Sequence, residues 1–282
     1  MQQVDTIDEM RHVVADLRAK GQSIAFVPTM GALHEGHLTL VDEAKRVADT
    51  VVMSVFVNPL QFGPTEDFAR YPRTLDDDSR LASERGVDYM FTPRQADMYP
   101  SHAPVVLIHP GSVGKEWEGA VRPHHFEGVL TVVAKLFHIV MPDVAVFGRK
   151  DAQQCAVIER MVRDLDVPVR LVFGETMREP DGLAMSSRNS YLSPGERKLA
   201  PVLHRALRAG EEAITHGIHE VEGIEKLMRR FVDESGGAEV DYLAVIDPET
   251  FEAPIDFRRE LLLAGAIRIG KTRLIDNIRV RP

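Results

Sequence analysis

The chain has one cysteine in 282 residues, Cys155, so an intrachain disulfide framework is excluded; a thiol inside an apparently helical stretch reads as buried and inert. Positive charge is also scarce. Thirty-four Lys and Arg against 43 Asp and Glu leave a net charge of −9 and a pI near 5.7, which excludes the clustered basic surface that a nucleic-acid backbone needs. No apolar run approaches the length required to cross a bilayer. The N-terminus, Met1-Gln2-Gln3-Val4-Asp5, lacks a basic segment followed by an apolar one, so no signal peptide is expected and the cytoplasm is the expected compartment. What the chain does have is 44% hydrophobic and 27% charged residues, ordinary for a globular protein and enough for a large core plus a smaller second domain.

Short apolar runs alternate with helical periodicity through the first two thirds. Ile7, Met10, Val13, Val14 and Leu17 mark a helix closed by Gly21; Ile24–Val27 is a strand, about 37–48 a helix, Val51–Val57 a strand, about 74–86 a helix. Asp88–Phe91 and Val105–Ile108 read as further strands, Phe126–Val140 as a helix, Val144–Phe147 as a strand, about 151–164 as a helix and Val169–Phe173 as a strand. That alternation predicts an α/β fold with a doubly wound parallel sheet, Rossmann-like, whose ligands sit above the carboxyl ends of the strands. After a polar stretch, Ser193-Pro194-Gly195-Glu196 forms a capping box opening one long helix to about 216. Another helix at about 219–234 precedes strands Val240–Ile246, Leu261–Ile269 and Leu274–Val280. The boundaries predict residues 1–186 as the nucleotide-type domain and 187–282 as a smaller α+β domain.

Four segments carry polar groups at places where a ligand would sit. His34-Glu35-Gly36-His37 follows the first buried strand and the turn Pro28-Thr29-Met30-Gly31, a strand–glycine loop–helix start that presents free N–H groups and a helix dipole to phosphates. Two imidazoles three residues apart share a helical face and can donate to phosphoryl oxygens as charge develops. A zinc pair is disfavoured by the spacing and the single cysteine. Gly148-Arg149-Lys150-Asp151 ends another strand, with Lys150 a mobile cation suited to phosphate, Asp151 a candidate helix cap and Gln154 one turn on. Met185-Ser186-Ser187-Arg188 offers two hydroxyls and a guanidinium, and Asn58-Pro59-Leu60-Gln61 offers neutral amides. Each also reads, alone, as an ordinary solvated turn. Asp76-Asp77-Asp78 at a helix start is a magnesium candidate or a dipole partner. Gly265 to Thr272 matches the P-loop pattern letter for letter, but Ile267 and Ile269 alternate as in a strand and no helix follows, so a β-hairpin is expected.

Together, Pro28 to His37, Phe56 to Phe62, Phe147 to Gln154 and Arg178 to Asn189 closely resemble the pantothenate synthetase family, over essentially the whole chain. The His-x-Gly-His and Met-Ser-Ser-Arg segments are similar to the signatures of the wider class I synthetase and nucleotidyltransferase superfamily. The resemblance implies ATP- and magnesium-dependent condensation of pantoate with β-alanine through a pantoyl adenylate, with release of pyrophosphate and AMP. It implies His37 as proton donor, with His34, Lys150 and Arg188 stabilising charge. The implied ATP site is Met30, Gly31, Ala32, Leu33, His34, Glu35, Gly36, His37, Gly148, Arg149, Lys150, Asp151, Met177, Met185, Ser186, Ser187 and Arg188. Gln61, Gln154 and Asn58 would meet the small substrates, Asp77 and Asp78 the magnesium. A C-terminal lid and a homodimer are also implied. Arg149 and His124 depart from the family pattern; His124, in place of a glycine, is expected either to stiffen its loop or to adopt a positive φ. A nucleotidyltransferase that leaves AMP on its product, a catalytically silent nucleotide-binding module and an RNA-binding synthetase-like protein are the rival readings, the last opposed by the acidic balance.

Overall fold

The computed structural model describes residues 1–64, 66–101 and 104–281. They form two compact units, Met1–Arg149 with Val157–Glu175, and Lys150–Ala156 with Thr176–Pro282. In chain order the elements are β1 (Gln2–Val4), α1 (Ile7–Ala19), β2 (Ile24–Thr29), α2 (Glu35–Val47), β3 (Thr50–Val55), α3 (Leu75–Arg85), β4 (Tyr89–Phe91), α4 (Gln95–Met98), α5 (Glu118–Val121), α6 (His125–Val140), β5 (Val144–Gly148), α7 (Ala152–Asp164) and β6 (Arg170–Gly174), followed by α8 (Pro194–Leu199), α9 (Val202–Thr215), α10 (Val221–Asp233), β7 (Ala238–Ile246), β8 (Leu261–Ile269) and β9 (Thr272–Val280).

Among the described residues the first unit is built on a six-stranded parallel sheet in the order β1-β4-β3-β2-β5-β6. Ile24 to Val27 are buried without alternation because helices cover both faces of the sheet. On one face Leu40, Val41 and Ala44 of α2 pack with Ala82 of α3 against Val27 and Met53; α6 packs on β2. From β2 the chain winds outward through β3 and β4, and from β5 it winds the other way to β6. The carboxyl ends of β2 and β5 therefore flank the topological switch point, where open α/β sheets bind ligands.

The expected strand Val105–Ile108 does not form. The strand that pairs with the outer edge of β4 is β1, three residues long and too short to stand out in the sequence, which pairs Gln2 with Tyr89 and Val4 with Phe91; Val105 and Val106 stay exposed.

The second unit has a three-stranded antiparallel sheet, β7-β8-β9, under α9 and α10, with Leu203, Leu207, Ile224, Met228, Leu263 and Ile267 in its core. The single helix expected from Ser193 to about 216 is two helices. The Ser193–Glu196 capping box opens α8 as read, but Pro201, lacking an N–H and clashing with the preceding turn, separates α8 from α9. The P-loop look-alike is a hairpin: Ile269 pairs with Thr272 around Gly270 and Lys271.

One glycine of the first unit is required by packing. A Cβ at Gly128, in α6, would stand 2.3 Å from the Leu60 carbonyl oxygen. Gly128→Ala would normally favour a helix by about 1 kcal/mol; here the overlap is expected to cost about 1–3 kcal/mol and lower the melting midpoint by roughly 5 °C. Scanning calorimetry checks this, and an unchanged or raised midpoint would contradict it.

Candidate active site

The loop after β2 is set by hydrogen bonds rather than by its own propensity. Thr29 Oγ1 donates to the Ser54 carbonyl (2.7 Å) and accepts from Gly31 N (3.2 Å). Gly31 has φ +82°, and a Cβ there would lie 2.9 Å from Asp78 Oδ2. Ala32 also has a positive φ, 51°, a left-handed conformation costing about 1–2 kcal/mol for a residue with a Cβ. Asp78 holds it there: Ala32 N donates to Oδ2 (3.0 Å), Leu33 N to Oδ1 (2.8 Å), and Thr74 Oγ1 to Oδ1 (3.3 Å). The Asp78 side chain, on α3, is 1% exposed.

This clamp delivers His34 to the N-cap of α2 and His37 to its first turn. The ring centroids lie 4.0 Å apart, with the planes tilted by 36°. His34 N donates to His37 Nδ1 (3.3 Å), so in the neutral His37 ring the proton resides on Nε2, which then serves as a donor.

The two carboxylates expected beside magnesium are engaged differently. Asp78 is engaged by the loop amides, while the Asp77 carboxylate is exposed and lies 3.6 Å from Arg80. Among the described residues no group of three or more His, Cys, Asp or Glu side chains is arranged to hold a metal.

Asn58 likewise differs from the expectation of direct substrate contact. It is buried, and its amide is fully committed: Nδ2 donates to Gln61 Oε1 (3.1 Å) and the Gly128 carbonyl (3.0 Å), while Oδ1 accepts from Tyr99 Oη (2.8 Å) and Leu60 N (3.3 Å). Burial pushes the Tyr99 phenol well above its ordinary pKa, so it remains a donor. Asn58 is thus a positioning residue for Gln61. The Gln61 Nε2 donates to Met30 Sδ (3.0 Å), joining the two expected segments. A cleft beside them is lined by Met30, Phe56, Val57, Pro72, Arg73 and Asp78, among others.

The Gln61 main chain is held by groups that sequence reasoning missed. Its carbonyl accepts from His125 Nδ1 (2.8 Å) and Arg122 Nη2 (3.3 Å), and Arg122 Nη1 donates to His125 Nε2 (3.1 Å), which fixes the neutral tautomer. Arg122 also makes a bidentate pair with Glu66 (2.6 and 2.7 Å). Burial pushes the Glu66 carboxyl up, but the guanidinium outweighs it and holds the group below its usual range. The signal was present in Arg122-Pro123-His124-His125. His124 adopts φ 67°, one of its two expected outcomes.

At the end of β5, Gly148 pairs with Gly174, and Arg149 is turned to β6: its guanidinium lies over Phe173, 5.5 Å from the centroid, and 3.3 Å from Glu175. The remaining expected residues belong to the second unit. Lys150 Nζ lies 3.8 Å from Asp151 Oδ2; Gln154 is half-buried in α7. The polar stretch around residue 180 is a tight hairpin, with Arg178 bridged to Ala184 and Met185 N donating to the Met177 carbonyl (2.9 Å). Ser186 Oγ then caps the single-turn helix Ser187–Tyr191 by accepting from Arg188 N (3.3 Å). Cys155 is buried and unbridged.

Burial and the adjacent Arg122 charge push His125 down to about 4. The unfolded chain takes up that proton near pH 6.5 and the fold only near 4. Stability is therefore full above about pH 6.5 and falls toward pH 4, by about 3 kcal/mol from this group. His125→Gln is expected to flatten that acid limb in denaturant titrations at pH 7 and 4.5; an identical loss in wild type and variant would contradict it.

The chain matches the Pantoate-beta-alanine ligase family over residues 2–279. It is 52% identical over 280 residues to the pantothenate synthetase of Acidothermus cellulolyticus, covering 98% of this chain and 90% of that protein. The solved pantothenate synthetase of Thermus thermophilus superposes with a TM-score of 0.94 at 48% identity, with both chains covered completely. The pantoate-beta-alanine ligase of Francisella tularensis, complexed with Beta-gamma ATP and β-alanine, superposes at 0.81 with 34% identity, covering 99% of this chain and 97% of that one. With a matching family over nearly every residue, and a sheet whose switch point carries the histidine pair, the chain belongs to the pantoate–β-alanine ligase family.

Proposed function

We propose that the chain condenses pantoate with β-alanine, using ATP, in two steps. A pantoate carboxylate oxygen attacks the α-phosphorus, the bond to the bridging oxygen breaks, and pyrophosphate leaves. The β-alanine amine then attacks the acyl carbon, AMP departs with the bonding pair, and the amine loses its proton. The observation that supports this reading is the clamped loop at the switch point, which leads into the α2 N-terminus and the His34–His37 pair, a setting that favours phosphate.

In this reading His37 donates from Nε2 to phosphoryl oxygens as they gain charge, and His34, Lys150 and Arg188 add to that stabilisation. The ATP-binding groups of this reading are Met30 to His37, Gly148 to Asp151, Met177 and Met185 to Arg188. Gln61 and Gln154, being neutral, orient pantoate without neutralising its nucleophilic carboxylate. Asn58 acts through Gln61. Magnesium bound with the nucleotide would offset the charge of the triphosphate; of the two carboxylates expected beside it, Asp77 is exposed and would be the one left to hold it, Asp78 being engaged by the loop amides. In this reading the working form is a cytoplasmic homodimer.

Pantoate-dependent exchange of labelled pyrophosphate into ATP, with AMP release that requires β-alanine, tests the proposal; ATP binding without exchange would contradict it. His37→Ala is expected to lower exchange by about 10²–10³, the usual loss on deleting one donor to a developing oxyanion, with the melting midpoint unchanged.

A further inference from the structure

Asp276 is a carboxylate on the apolar face of β9. It alternates with Leu274 and Ile278, both packed in or against the core of the second unit, and is itself only 5% exposed. A lone charge there is costly, and replacing a buried ion pair with apolar groups is often neutral or stabilising. Stability alone therefore gives little reason for the pair that is present. Arg178 donates to Asp276 Oδ2 (2.6 Å) and Oδ1 (2.9 Å), and also to the carbonyls of Asn277 (3.1 Å) and Gly182 (3.0 Å). His204 Nδ1 lies 3.5 Å from Asp276 Oδ2. One guanidinium thus closes the 177–185 hairpin at its turn and fastens it to β9.

The next residue extends the tie. Asn277, 7% exposed, donates from Nδ2 to the Lys150 carbonyl (2.9 Å). On the far side of the hairpin, Asn189 Nδ2 donates to Glu179 Oε1 (3.0 Å) and the Ala184 carbonyl (3.1 Å), seating the Ser187–Tyr191 turn on the hairpin. A continuous path of hydrogen bonds runs from Arg188 and its turn, through Arg178 and β9, to Lys150.

We infer that Asp276 and Asn277 are positioning residues for the nucleotide: from the last strand they hold the Lys150 turn and the Met177–Arg188 segment in one fixed arrangement, and so set ATP affinity. This rests on the reading of Lys150 and Met185–Arg188 as ATP-binding groups. Misplacing such groups by even about 1 Å can cost 10²-fold in rate, and loss of one buried hydrogen bond is enough for about a tenfold effect.

Asn277→Ala tests it. The expected result is an ATP KM and an ATP dissociation constant raised about tenfold, with the β-alanine KM unchanged and the melting midpoint within a few degrees of wild type. Asn277→Leu, close in volume and without a donor, gives the same shift and serves should the alanine variant fold poorly. A folded variant with wild-type ATP affinity overturns the inference, because a merely structural asparagine would alter stability and leave the KM alone. ATP titration calorimetry, without pantoate or β-alanine, separates the two readings. If wild type binds ATP but shows no exchange, the ligase reading falls while the affinity comparison still decides the role of Asn277; if wild type binds no ATP, both fall.

Discussion

A buried carboxylate with two backbone amides is the interaction on which the site depends. Asp78 stands on α3, and the loop it holds follows β2, 45 residues earlier in the chain. Without it Ala32 would have no reason to keep a left-handed conformation, and the register at which α2 begins would be free to change. Because the carboxylate oxygens accept from Ala32 and Leu33, the loop leads directly into an N-cap histidine whose amide orients the next one. The geometry of the histidine pair is therefore a consequence of packing α3 beside α2 on the sheet, the same packing that makes the hydrophobic core.

A similar logic recurs at Gln61. Its side chain is oriented by Asn58 and Met30, and its main chain by His125 and Arg122, so that one short turn is fixed from two directions. Gly128 lets α6 approach that turn to a distance no side chain would permit. In both places a polar group that looks available in the sequence, Asp78 or Asn58, is spent inside the fold.

The parallel sheet was legible because strands buried on both faces read as unbroken apolar runs, and the antiparallel domain because its strands alternate. The roles of Asp78 and Asn58 were not. Their side chains meet partners that are distant in sequence, and a polar residue at a strand end has the same local signature whether it faces a ligand or a backbone amide. Val105–Ile108 misled for a related reason: its composition suits a strand, but the edge of β4 was already filled by Gln2–Val4, whose three residues give no periodic signal. Pro201 was visible and its effect on the helix was predictable. Asp276 could have been found as an acid on the same strand face as Leu274 and Ile278. The order and spacing of the Pro28–His37, Phe56–Phe62, Phe147–Gln154 and Arg178–Asn189 segments carried the family resemblance, and the family match over residues 2–279 bears it out.

The clamp by Asp78 is tested most directly by the ATP affinity of Asp78→Asn, measured by titration calorimetry with and without magnesium. The substitution keeps the shape of the side chain but replaces one acceptor with a donor facing the loop amides. Affinity is expected to fall about tenfold or more in both conditions, since the loop rather than a metal is disturbed. Wild-type affinity, or a loss seen only when magnesium is present, would contradict it.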